Sequence, residues 1–212
     1  VPFEVSLAVH SDAGVSTDRS VYGTLGISTT QDGEGHTHYA SGLSRQASSD
    51  LARLLLSGLS ADLSRSFHVA WPQREHWDRN YAETRMPQVP STILEMLSHQ
   101  NFTDMHYGHD PNFKFALARS VYKTILRFVN CAHGQKHYTV QPLSPRCFAA
   151  ELTDDGSRVK LSWKQTEDSL CDNVRPQGYI VYTKIDDDGF DNGLAVGSHE
   201  SYTMPIVPDK TY

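Results

Sequence analysis

Apolar and polar residues alternate along Phe3–His10, with Phe3, Val5, Leu7 and Val9 set against Glu4, Ser6, Ala8 and His10. This period of two predicts a strand with its bulky side buried and His10 on the opposite side, at the strand's end. Ser11-Asp12-Ala13-Gly14 then breaks it. A second strand is expected over Val21–Thr29, and a third over the short apolar run Ile93–Leu97, which Glu95 interrupts. Between them, Leu51, Leu55, Leu59 and Leu63 recur every four residues, so Ser48 to Arg65 reads as a helix capped by Ser48 or Ser49 and weakened at Gly58. Asp110-Pro111 opens another helix, an N-cap followed by Pro at its first position, with Phe113, Leu117, Val121, Ile125 and Phe128 as its apolar stripe.

The pattern changes after Cys131. Residues 133–145 read as a linker of His, Gln, Pro and Ser, and short alternating strands follow, Val159–Trp163 and Gly178–Tyr182, separated by Gly/Asp turns. The chain therefore divides into an α/β domain over 1–132, with a mixed or mostly parallel sheet flanked by helices, and an all-β sandwich over 146–212.

Composition removes several classes. The 212 residues carry a formal net charge of −6 and no Lys/Arg cluster, which argues against a nucleic-acid partner. No apolar stretch approaches the ~20 residues of a membrane span, so no segment is expected to cross a bilayer. Cys131, Cys147 and Cys171 follow no zinc-finger spacing; Cys147 and Cys171 either pair across the small β domain or remain free thiols.

The chemistry concentrates at His10 and Glu95. A carboxylate within an apolar strand is costly unless a cation or hydrogen bonds compensate for it. A metal-ligating His and a general-base Glu at the carboxyl ends of neighbouring strands would make a hydrolytic site. Trp71, Trp77, Arg79 and Tyr81, in the aperiodic segment His68–Arg85, either line a groove or pack as an irregular loop. His36 and His38 could face a metal from one side of an extended segment, although Gly33, Gly35 and Gly42 around them suggest a surface loop. His99, His106 and His109 fall in an apparent loop over Ser98–Asp110 and have no assigned role.

Four segments resemble, in order, those of zinc-dependent N-acetylmuramoyl-L-alanine amidases. Val9-His10-Ser11-Asp12-Ala13 stands where the family has a zinc histidine at a strand end. Gly23-Thr24-Leu25-Gly26-Ile27-Ser28 and Ser48-Ser49-Asp50-Leu51-Ala52 follow. Pro90-Ser91-Thr92-Ile93-Leu94-Glu95-Met96-Leu97-Ser98 is similar to the segment carrying the catalytic Glu. The family's Gly-Phe after that Glu is replaced by Met96 and Leu97.

The resemblance implies a zinc cofactor with His10 as ligand, Glu95 as proton-transfer residue, peptidoglycan as partner and an exported protein. It also implies that the other two ligands lie ahead of Val1. Val159–Trp163 and Gly178–Tyr182 resemble two strands of a fibronectin type III domain with Trp163 and Tyr182 as core aromatics, its last strands absent. Two alternatives are a retasked envelope protein that binds glycan without hydrolysing it, and a lyase-like enzyme on surface polysaccharide.

Overall fold

In the computed structural model, which describes residues 4–13 and 20–212, the chain forms two compact units, Val1–Tyr138 and Thr139–Tyr212. Phe3 and Gly14, assigned above to the first strand and to the turn after it, lie outside the described residues.

The first unit runs β1 (Ser6–Asp12), β2 (Leu25–Ser28), α1 (Gln46–Phe67), β3 (Trp77–Asp78), α2 (Ala82–Arg85), β4 (Ser91–Ser98), α3 (Phe102–His109) and α4 (Pro111–Ala132). Its sheet has the order β1-β4-β2-β3. β1 runs parallel to β4 and β2 antiparallel to it, so the sheet is mixed. β4 is the central strand, and its first four residues are all buried. Such a strand reads as a continuous apolar run because both of its faces are covered.

One face packs on α1. A side chain at Gly26 would meet Leu56 and Ala52 at 3.3–3.4 Å, so the glycine sets how closely helix and sheet approach. The leucines at four-residue spacing, Leu51, Leu55, Leu59 and Leu63, are completely buried. The helix starts two residues earlier than Ser48, with Arg45 at its N-cap. Ser48 is instead buried and tied to Tyr39 Oη at 2.6 Å and to the Ser91 amide at 2.9 Å.

Gly58 has a packing purpose. A Cβ there would stand 2.7 Å from Thr124 Oγ1 on α4, so the glycine lets the two long helices touch. Lys123 on α4 bridges Asp62 on α1 beside that contact, at 3.1 Å. Asp110 caps α4 by accepting from the Asn112 amide, with Pro111 in the first turn.

Two readings need correction. Neither side of β1 is fully buried: Val9 is 50% exposed, and Leu7 and Ala8 on opposite sides are both half-buried, Ala8 packing against the cluster of Leu25, Ile27 and Ile93. β1 is an edge strand, and its small-residue face is the one turned to the sheet's apolar cluster. The segment Ser98–Asp110 is not a loop either. Asn101 accepts from the Thr103 and Asp104 amides and starts α3 there, an N-cap signal that the histidines obscured.

The second unit holds β5 (Arg146–Leu152), β6 (Arg158–Lys164), β7 (Tyr179–Val181), β8 (Leu194–Gly197) and β9 (Ser201–Pro205). They form an antiparallel sheet β5-β6-β9 and a separate hairpin β7-β8. Trp163 is buried against Tyr179, ring centroids 5.2 Å apart. Tyr182, expected in the core, is 55% exposed, because it follows the end of β7 and lines an open apolar space of about 620 Å³. All three cysteines are free, so Cys147 and Cys171 are not paired.

Candidate active site

The register of the central strand brings the two sequence-predicted site residues together. His10 on β1 is the parallel partner of Glu95 on β4, and Leu25 on β2 is its antiparallel partner on the other side. Side chains at matched positions project to the same face of a sheet. Both groups therefore open into one cleft of about 240 Å³, lined also by Asp12, Ile27, Ile93, Trp77, Tyr81 and Glu83.

Glu95 is half-buried, and its Oε2 has no hydrogen-bond partner. Burial raises its pKa above the usual carboxylate range, the charge of Asp12 adds to the rise, and His10 and Arg74 oppose it. Asp12 is itself ion-paired to Arg74, whose guanidinium lies 5.5 Å above the ring of Trp77. Arg79 approaches the same ring at 5.9 Å.

His10 does not stand alone. Its Nε2 lies 2.9 Å from Glu83 Oε1 on α2, which fixes the ring towards the cleft. Glu83 was not singled out from the sequence. Seventy-three residues separate it from His10, and only the return of the chain through β3 and α2 places it there.

The aromatic segment divides. Trp77 and Tyr81, 39% and 47% exposed, sit on the cleft. Trp71 belongs to the core, where it donates from Nε1 to Thr24 Oγ1 and packs with Tyr107 and Phe113. A second residue missed in sequence is Asp104. Its buried carboxylate accepts from the Gly23 amide at 2.7 Å and the Ser98 amide at 2.8 Å, tying α3 to the ends of β2 and β4.

The remaining histidines stay away from this cleft. His99 Nδ1 meets Ser11 Oγ at 3.0 Å, and His106 stacks edge-on to Tyr107. His36 pairs with Asp32, and His38 with Thr37, in an ordered loop. Among the described residues no group of three His, Cys, Asp or Glu side chains is placed to hold a metal ion. No helix among them is long and apolar enough to cross a membrane.

No family profile and no curated protein matches the chain. Solved structures that resemble it are N-acetylmuramoyl-L-alanine amidases at low identity. The CwlD amidase of Clostridioides difficile, in complex with the GerS lipoprotein, is 15% identical with a TM-score of 0.47. The CwlV catalytic domain of Bacillus (Paenibacillus) polymyxa is 16% identical with 0.46, and Ami1 of Mycobacterium smegmatis 18% identical with 0.47. Each alignment covers 60% of this chain and 55–58% of the other, so the chain spans little more than half the length of these amidases.

Proposed function

We propose that the first unit hydrolyses the amide bond between N-acetylmuramic acid and L-alanine in peptidoglycan, with Glu95 as the proton-transfer residue. The observation that carries this is the position of Glu95: a carboxylate with a raised pKa and a partnerless oxygen, lining the cleft beside His10. A general base works best when its pKa lies near the operating pH, and burial moves Glu95 in that direction. Its carboxylate takes the proton of a water molecule as the water oxygen bonds to the amide carbon. It returns that proton to the leaving nitrogen as the C–N bond breaks. The order of the sequence motifs around His10 and Glu95 supports the choice of substrate, and an exported location goes with it.

A catalytic zinc takes three protein donors and keeps one position open. His10 and Glu83 offer two donors, already bonded to one another, and the described residues supply no third. These residues alone do not fit a catalytic zinc. His10 remains our candidate metal donor, with Glu83 beside it. We also read the second unit as a fibronectin type III-like module, on the strength of its two antiparallel sheets and buried Trp163.

One observation favours glycan binding without hydrolysis as a second reading: Trp77 and Tyr81 are exposed at the cleft, where rings can stack on sugar. New amino termini released from purified peptidoglycan separate the two. Hydrolysis that falls about 100-fold in Glu95→Gln, with the fold retained, supports the first. Binding of glycan without any release, lost in Trp77→Ala, supports the second.

A further inference from the structure

The short strand β3 brings more than Trp77 to the Glu95 cleft. Trp77 pairs with Ile27 and Asp78 with Ser28 on β2. The Arg79 amide then donates to the Ser28 carbonyl at 2.8 Å, so the extended pairing runs on through Arg79. Side chains two apart in a strand share a face. Arg79 therefore projects on the same side as Trp77, and its guanidinium lies 5.9 Å from that ring. Asp78 points the other way, where its carboxylate accepts from the Thr30 amide and hydroxyl.

Trp77 lines the cleft, which places Arg79 at its rim. The neighbouring charges are already engaged: Arg74 is ion-paired to Asp12, and Glu83 bonds His10. The Arg79 side chain donates only to the carbonyl of Asp78, at 3.3 Å, and no carboxylate among the described residues pairs with it. Its backbone is held from both sides. The Arg79 carbonyl accepts from Thr84 Oγ1 at 2.9 Å, and Thr84 is completely buried.

We propose that Arg79 is a specificity-determining residue that binds the carboxylate of the substrate's second peptide residue, counted from the scissile amide. This rests on the reading of the Glu95 cleft given above. Asp12, Glu83 and Glu95 make the interior of the cleft acidic, so an anionic peptide is steered to the cation at the rim. Arg79 stands two strands across and four residues along from Glu95. At ~4.8 Å between strands and ~3.3 Å per residue, the Cα atoms are about 16 Å apart. Two long side chains and an extended dipeptide of about 7 Å span that gap. The guanidinium fork takes a planar carboxylate in two parallel hydrogen bonds, whereas an amide offers it one neutral acceptor.

The experiment compares two soluble muramoyl tripeptides that differ in one group, the second residue's carboxyl being free in one and amidated in the other. Each is titrated by calorimetry into wild type, Arg79→Gln and Arg79→Lys, and release of new amino termini is followed in parallel. The free acid should bind wild type about tenfold more tightly than the amide, with any difference in turnover lying in KM rather than kcat. Arg79→Gln should equalise the two by weakening the acid alone, and Arg79→Lys should restore part of the preference. Equal binding of both by wild type, no binding of either, a preference that survives Arg79→Gln, or a loss shared by acid and amide would each overturn the proposal. A preference in binding that Arg79→Gln removes, with no amino termini released, would support Arg79 and overturn the hydrolytic reading of Glu95 instead.

Discussion

Glu95→Gln should make the protein more stable near neutral pH while removing the hydrolysis proposed above. In the native state Glu95 is half-buried with Oε2 unpartnered, and burial and the Asp12 charge raise its pKa. The folded protein thus binds the Glu95 proton more tightly than the unfolded chain does. Stability contributed by this group is highest below the ordinary Glu range. It falls as pH rises towards the native pKa, and above that value the full cost is present. An unpaired buried acceptor costs about 1–3 kcal/mol. Glu95 is only half-buried and so partly screened, which places the effect near the lower bound, about 1 kcal/mol. A neutral amide carries less of that penalty than a carboxylate. The assay is urea unfolding followed by circular dichroism at 222 nm, which reads the first unit because all described helices belong to it. Glu95→Gln should exceed wild type by about 1 kcal/mol, or about 2–4 °C in Tm, at pH 7.5, and the difference should shrink as pH approaches 4. Parallel pH profiles, or a variant less stable than wild type at pH 7.5, would refute the reasoning.

Gly58→Ala places a methyl 2.7 Å from Thr124 Oγ1. The overpacking costs about 1–3 kcal/mol against about 1 kcal/mol gained in helix propensity, so thermal unfolding should show a net loss that Thr124→Ala restores. A neutral single variant would mean that α1 and α4 separate freely. Asp104→Ala strands the Gly23 and Ser98 amides and should cost about 2–4 kcal/mol in equilibrium unfolding. A loss below about 0.5 kcal/mol would show that water replaces the carboxylate. The chain, dialysed against zinc, should retain far less than one ion per molecule, since among the described residues no group of three donors is placed to hold it. Stoichiometric zinc abolished by His10→Ala would instead show that a third donor is recruited.

Periodicity along the chain identified α1, α4, β4 and β6, because each buries one continuous face or run whose spacing is written locally. It also isolated Glu95, since one charge within a buried strand is conspicuous before any fold is known. Pairing could not be read that way. β1 is less buried than its alternation suggests, because it lies at the sheet edge with a neighbouring strand on one side only. Trp71 and Trp77 lie six residues apart in one aperiodic segment, and only packing sends one to the core and the other to the cleft. Glu83 and Asp104 follow the same rule. They gain their roles from partners 73 and 81 residues away, His10 and the Gly23 amide. A residue's type and spacing fix what it can do; which atoms meet it is decided by long-range strand register and helix docking, which no local window contains.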